Sequence, residues 1–426
     1  MDWLELLRHQ PPAVLTYLVV IAGALLFTLN GLRPLYRPMV LSGLSFFAGW
    51  PTVEAAMQHI GWQALLAAWV FHDGAGLDAW PGYLALAITA LNWAGLAWLA
   101  VQGFCARAVL ARQLAVQREL FDPDPATGEL RIDPGPPDST IPLALPIFIP
   151  RSVERIGHIP YCENDGRPVR LDLYRPRSRT GPLLPVLLHL HGGGWVVGGK
   201  RQQGRPLMFH LASQGWICVS ANYRLSPRAT FPDPLLDAKQ ALRWIKQNIE
   251  EYGGDPDFVV VEGNSAGGHL AALLALTPGM PEYQPGFEDL DLSVQACVSM
   301  YGVYDLIDPD GLANPGLHFF ARLTLMKARP EEAPELYERA SPVRWLRDDA
   351  PPFLAVHGTH DTLVPVQSAR RFVEVFRERT TVPLTYLELP GATHAFDIFH
   401  SPRANATVGA VATWLRAQHR RHRGAR

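Results

Sequence analysis

The apolar run Phe258-Val259-Val260-Val261-Glu262 ends in Gly263-Asn264-Ser265-Ala266-Gly267-Gly268, and a helix-forming stretch, His269 to Leu276, follows at once. A strand that turns directly into a helix through Gly-x-Ser-x-Gly leaves the backbone little choice. The turn is so sharp that the serine backbone is strained, and a Cβ two positions to either side would collide with it. This predicts a hydroxyl raised above the end of a sheet, with the N-terminus of the next helix aimed at it. An N-cap serine in an ordinary βα turn would satisfy the same five residues, so the partners of Ser265 decide its meaning.

The first partner lies upstream. Pro185-Val186-Leu187-Leu188-His189-Leu190 reads as a buried strand and ends in His191-Gly192-Gly193-Gly194-Trp195. Consecutive glycines after a strand leave backbone N–H groups bare and open to close approach, as an oxyanion hole for acyl transfer requires. The expected donors are the amides of Gly193 and Gly194, joined by that of Ala266, with His191, Gly192 and Asn264 in support. The second partner lies downstream. Phe353-Leu354-Ala355-Val356-His357 is followed by a loop holding Asp361, and Leu384 to Leu389 delivers His394 to the same sheet edge. A carboxylate there can orient an imidazole and stabilise its charged form, and the imidazole can take the proton of Ser265. Asp305 also follows a strand, but one strand too early. His360 adjoins Asp361, and loop neighbours seldom point the same way; His400 is the second choice of base.

The stretch from about Ile156 to His419 resembles the hormone-sensitive-lipase branch of the α/β-hydrolases and its carboxylesterase relatives. The resemblance is carried by His191 to Trp195, Asn222-Tyr223-Arg224-Leu225-Ser226-Pro227, the turn around Ser265, Asp361 and His394, in the Ser-Asp-His chain order of that fold. It implies a serine hydrolase acting on small carboxylic esters through an acyl-enzyme, with no metal or organic cofactor. One residue departs: the branch commonly carries Asp before the nucleophile, where this chain has Asn264. Asn there looks more like the arylformamidase and polysaccharide-esterase relatives, which keeps an amidase reading open. A serine peptidase would use the same three residues, but no repeated blades of a gating domain precede them.

The rest of the chain is divided. Its 38 basic and 40 acidic residues give a net charge of −2, so no basic field points to nucleic acid. Cys105, Cys162, Cys218 and Cys297 lack metal-site or disulfide-framework spacing. Residues 10 to 32 and Ala79 to Ala106 contain no charged side chain, and each can supply the ~20 residues of a membrane helix. Between them, Met39 to His72 is apolar except for Glu54, with Pro51 and Gly61 interrupting it, so it is a broken span or an interfacial piece. Tryptophans are frequent there, as in an aromatic belt. A signal peptide is disfavoured: Asp2 and Glu5 outweigh Arg8, and no small-residue cleavage site follows Leu29.

Arg33 and Arg37 follow the first run, and Arg107, Arg112 and Arg118 the last. The positive-inside rule then places both ends in the cytoplasm, which three crossings satisfy. The expected organisation is a membrane-embedded helical region over 1–115 with two to three spans, a proline-rich linker over 116–155, a hydrolase domain over 156–420 and a basic tail over 421–426. Eight prolines between Phe121 and Pro150 suggest a semi-extended tether. Alternating strands and helices after it imply a mostly parallel sheet with helices on both faces. The protein is thus expected in a bacterial inner membrane, with the bilayer as its partner and the hydrolase in the cytoplasm; oligomeric state is not legible. Residues 308–347 lack a strand and are a candidate cap. With Trp195, Phe319, Phe320 and Phe396 near the site, such a cap would favour short or medium acyl chains.

Overall fold

A computed structural model describes residues 12–72, 77, 80–117, 121, 132–136, 149–164, 166–178 and 181–424. Four helices come first: α1 (Pro12–Leu32), α2 (Met39–Glu54), α3 (Ala56–Phe71) and α4 (Trp80–Ala115). Strands β1 (Val153–Asn164), β2 (Arg167–Pro176) and β3 (Leu184–Leu190) lead to α5 (Arg205–Ser213) and β4 (Ile217–Ala221). Then follow α6 (Asp233–Asn248), β5 (Gly254–Asn264), α7 (Ala266–Leu276) and β6 (Ala296–Met300). The segment read as a cap holds α8 (Pro315–Ala321), a π-helical turn (Arg322–Met326) and α9 (Pro334–Arg339). The chain closes with β7 (Phe353–Gly358), α10 (Val366–Arg379), β8 (Leu384–Leu389) and α11 (Pro402–Gly424).

The eight strands form one sheet in the order β1-β2-β4-β3-β5-β6-β7-β8. β1 and β2 run antiparallel at one edge, and from β4 to β8 every pairing is parallel. Alternate residues of β5 feed two cores. Val259 and Val261 pack with α6, α7 and α10, whereas Phe258 and Val260 pack with α5 and α11. Strands buried on both faces must be apolar throughout, which is why these runs were conspicuous in the sequence. The antiparallel edge pair was not, because Arg155, His158, Arg167 and Arg170 interrupt the apolar pattern on its half-exposed faces.

The apolar stretch 39–72 is interrupted, as Pro51 and Gly61 suggested, with the break at Ala55. Helix α3 runs beside α1 and α4: Val70 meets Val14, Tyr17, Ile21 and Ala85 at one end, and Ala56 meets Val53, Leu96 and Leu99 at the other. Helix α2 bridges α1 and the hydrolase domain: Ser45 exchanges hydrogen bonds with Asn30 (2.8 and 2.6 Å), while Trp50 Nε1 donates to the Ala395 carbonyl (2.9 Å). In addition, α4 is 36 residues long, about 54 Å at the usual helical rise, well beyond the ~30 Å hydrocarbon thickness. Its last turns, with Ala106, Leu110 and Leu114, join the core beneath β8 and α11. Gln113 Nε2 donates to the Glu388 carbonyl (2.9 Å), and Gln117 Nε2 to that of Leu384 (2.9 Å).

The boundaries are corrected accordingly. β1 begins at Val153, inside the range read as linker, and most of 116–152 falls outside the described residues. The part that is described does not hang free: Asp133 accepts from His210 Nε2 (2.9 Å) and Gln214 Nε2 (3.0 Å) and pairs with Arg416. Proline removes a donor without preventing side chains from docking. The basic residues Arg421, His422 and Arg423 lie in the last turn of α11 rather than in a separate tail, and 425–426 lie outside the described residues.

Candidate active site

Ser265 sits between β5 and α7 with φ 55° and ψ −117°, a conformation L-residues rarely adopt. Its amide donates to the Met300 carbonyl (2.9 Å), which helps hold the turn. The glycines two positions away are required by contact. A Cβ on Gly263 would run into the Gly267 carbonyl, and one on Gly267 into the Leu190 carbonyl. The helix that follows leaves the amide of Ala266 without an intrahelical acceptor.

His394, in the loop after β8, places Nε2 2.8 Å from Ser265 Oγ, while its Nδ1 lies 2.6 Å from Asp361 Oδ2. With Nδ1 donating to the carboxylate, Nε2 is left to accept from the serine hydroxyl. Asp361 is fully buried after β7, and its Oδ1 accepts from the amides of Leu363 (2.9 Å) and Val364 (2.8 Å). Burial by itself would raise this carboxyl; the neighbouring His394 and His357 outweigh it and hold the pKa down at about 2. His357 was missed in the sequence. Its Nε2 lies 3.4 Å from Asp361 Oδ2 and 2.8 Å from the Val364 carbonyl.

The glycine loop after β3 has Gly193 at φ 116° and Gly194 at φ 59°. Among the described residues, neither amide donates a hydrogen bond within the protein, whereas that of Gly192 is taken by Gln203 Oε1 (2.6 Å). The support residues behave differently from one another. His191 donates from Nδ1 to the Gly192 carbonyl (2.8 Å), stacks on Tyr223 at 4.3 Å, and is held neutral by burial, with its pKa down at about 4. Trp195 is buried in the core, its Nε1 donating to His269 (3.2 Å), so it does not line the site as expected. Phe396 is likewise buried, against Tyr301. Phe320 does reach the loop: its ring stands 3.0 Å from where a Cβ on Gly194 would lie.

The rejected candidates have other work. Asp305 accepts from the amides of Ile307 (2.9 Å) and Asp308 (3.3 Å), capping its own turn. His360 hydrogen-bonds the Gly31 carbonyl (3.1 Å), and His400 is turned to Asn405 (3.4 Å). Among the described residues no cluster of His, Cys, Asp or Glu could hold a metal ion.

Asn264 has a physical explanation. Its Nδ2 donates to Tyr301 Oη (2.8 Å) and Asp397 Oδ2 (2.8 Å), and Tyr301 donates to the other oxygen of Asp397. An Asp at 264 would set two buried carboxylates against each other. Burial pushes the carboxyl of Asp397 up to about 6. Tyr301 in turn presents its ring to His394 at a 4.7 Å centroid distance. Neither Asp397 nor Tyr301 stood out in the sequence, since nothing local marks a pairing 133 positions away.

The comparisons with known proteins agree with this architecture. The family described as BD-FAE matches residues 171–376. The "Probable carboxylic ester hydrolase LipM" of Mycobacterium tuberculosis is 40% identical over 416 residues, covering 93% of this chain and 92% of its own. The chain belongs to the α/β-hydrolase carboxylic ester hydrolases. "Esterase LipC" of the same organism is 36% identical, over 72% of this chain and 75% of its own. Among solved structures, the propionate-bound esterase Est2 of Thermogutta terrifontis is similar at a TM-score of 0.51 and 26% identity. It covers 62% of this chain and 92% of its own. The LipM match leaves only 7% of this chain outside it, so it extends beyond the hydrolase domain into the N-terminal region.

Proposed function

We propose that this carboxylic ester hydrolase works through Ser265, His394 and Asp361, and that its N-terminal helices anchor it in a membrane. The observation that carries the chemistry is the hydrogen-bonded chain from buried Asp361 through His394 to Ser265, beside the two left-handed glycines 193 and 194. His394 Nε2 takes the hydroxyl proton as Ser265 Oγ attacks the ester carbonyl. Asp361 holds the imidazole and stabilises its charged form. The amides of Gly193, Gly194 and Ala266 receive the oxyanion, each such donor contributing about 3 kcal/mol in the transition state. His394 returns the proton to the departing alcohol. It then activates water, which releases the acid from the acyl-enzyme.

The anchor reading rests on α1 and α4, long and apolar enough to cross a bilayer, with only 22% and 28% of their most apolar windows buried in the protein. A core helix of a soluble protein would be covered far more fully. With α3 beside them, three antiparallel crossings put the arginine-rich ends and the hydrolase in the cytoplasm. The amidase alternative loses its one supporting residue, because Asp397 accounts for Asn264.

Two experiments test this. Ser265→Ala should abolish labelling by a fluorophosphonate and lower ester turnover by about 10⁶. His394→Ala should be comparably damaging and His400→Ala nearly silent; labelling that persists on another serine overturns the assignment. A reporter active only in the cytoplasm should work when fused after Arg426 and fail when inserted at Gly76. Release of the full chain by alkaline carbonate would refute membrane insertion.

A further inference from the structure

Helix α2 is fixed over the catalytic loops by one stripe of its surface. Asn314, at the start of α8, donates to Ser42 Oγ (2.9 Å) and to the Thr362 carbonyl (2.6 Å), and Thr362 Oγ1 donates to the Ser42 carbonyl (3.0 Å). Phe46 lies edge-on to the His394 ring at 6.0 Å, and Trp50 Nε1 donates to the Ala395 carbonyl (2.9 Å). Residues 42, 46 and 50 are spaced four apart, so this stripe is one face of the helix. The lid over the catalytic base thus comes from the N-terminal region, a role expected of 308–347.

The opposite face of α2 is apolar and bare. Leu44 is 60% exposed, Phe47 68% and Val40 66%, and before Glu54 the helix contains no charged residue. A helix lying at a water interface would carry polar groups on that face. The patch does not stop there. On one side it continues into the exposed apolar surface of α1, α3 and α4. On the other it reaches α8 and its π-helical turn, where Phe319 and Leu323 are exposed and Phe320 touches Gly194. Val197, 64% exposed, extends it onto the oxyanion loop itself. Ser265 itself is only partly buried, and the rim residues Phe320 and Val197 stand at Gly194 and Gly193 of the neighbouring loop. Arg322 stacks on Phe319 at 4.9 Å, the pairing of cation and apolar ring that suits the depth of lipid headgroups.

We propose that the mouth of the active site is pressed against the bilayer, and that its substrate is the ester of a membrane-resident amphiphile, entering from the lipid side of α2 and α8. The proposal rests on Ser265 as nucleophile and on the helical bundle lying in the membrane. It replaces the short-chain preference: an apolar rim continuous with the hydrocarbon gives a long acyl chain a place outside the protein. The reaction stays a hydrolysis, in which water cleaves the acyl–oxygen bond to give the acid and the alcohol.

The test uses the full chain reconstituted in phosphatidylcholine vesicles, with dioleoylglycerol dissolved in the bilayer and p-nitrophenyl butyrate in the water. Diluting dioleoylglycerol with phosphatidylcholine at constant bulk concentration should lower its hydrolysis in step with its mole fraction. A rate that follows bulk concentration alone, or no hydrolysis of dioleoylglycerol beside rapid hydrolysis of the butyrate, overturns the proposal. The double variant Leu44→Asp/Leu323→Asp, both residues outside the catalytic set, should keep kcat/KM for the butyrate within twofold. It should lose at least tenfold on dioleoylglycerol. Equal rates with the parent on both substrates overturn it as well. Butyrate hydrolysis surviving Ser265→Ala would instead defeat the catalytic assignment, a different failure.

Discussion

Glu54 is the one carboxylate of α2 and α3, which hold no Lys or Arg, and its partner lies on α11. Its Oε1 is 2.5 Å from Arg403 Nη1 and its Oε2 accepts from Ser401 Oγ (2.6 Å); both charged side chains are 1% exposed. Arg403 Nε and Nη2 have no partner among the described residues, so the carboxylate is what compensates the buried guanidinium. Charge centres about 4 Å apart attract by about 4 kcal/mol at an effective dielectric of 20. That falls within the ~3–5 kcal/mol that removing one member of a buried pair costs. Glu54→Ala should therefore destabilise the detergent-solubilised chain by about 4 kcal/mol, read from denaturant unfolding followed by tryptophan fluorescence. Arg403→Ala should cost a similar amount. The double variant should cost little more than either, giving a coupling of about 3 kcal/mol in the cycle. Replacing both charges by apolar groups, in the double variant Glu54→Leu/Arg403→Met, should come back within about 1 kcal/mol of the parent. Additive single effects, or a loss below about 1 kcal/mol for Glu54→Ala, would show that the pair does not hold the end of α2 to α11.

Two further outcomes are expected. Gly193→Ala places a Cβ against the Val197 carbonyl at a φ of 116°, so kcat should fall by about 10²–10³ with KM little changed; activity within threefold of the parent would remove Gly193 from the oxyanion site. Asp397 is buried, and that burial raises its pKa from 3.8 to about 6. Below the lower value both folded and unfolded chains hold the proton and the stabilisation is complete. As pH rises through about 6 it is lost, a change of roughly 3 kcal/mol. Asp397→Asn should remove that part of the decline in stability between about pH 4 and 6, and parallel pH profiles for variant and parent would contradict it.

Much of the fold and of the candidate site's geometry was legible in the sequence because it rests on local rules. Strands buried on both faces must be continuously apolar, so the cores of β3, β5 and β7 announced themselves. The turn at Ser265 needs glycines at 263 and 267 for steric reasons that act within five residues, and the loops holding Asp361 and His394 follow strands whose order the chain itself dictates. The uncharged runs marked α1 and α4 in the same way, since a segment without a polar face is distinctive at any position. What the tertiary structure alone decided involves partners far apart in the chain. The pairing of Asn264 with Asp397, the support of Asp361 by His357, and the burial of Trp195 depend on which elements the sheet order brings together. So does the fate of the middle apolar stretch. Composition marked 39–72 as a broken apolar stretch without saying where each half goes; Ser42, Trp50 and Glu54 find hydrogen-bonding partners on the loops around His394 and on α11, while Ser45 bonds Asn30, and this holds α2 between α1 and the hydrolase domain. Period and polarity describe one helix at a time; which surface covers a helix is settled only when the rest of the chain has folded against it.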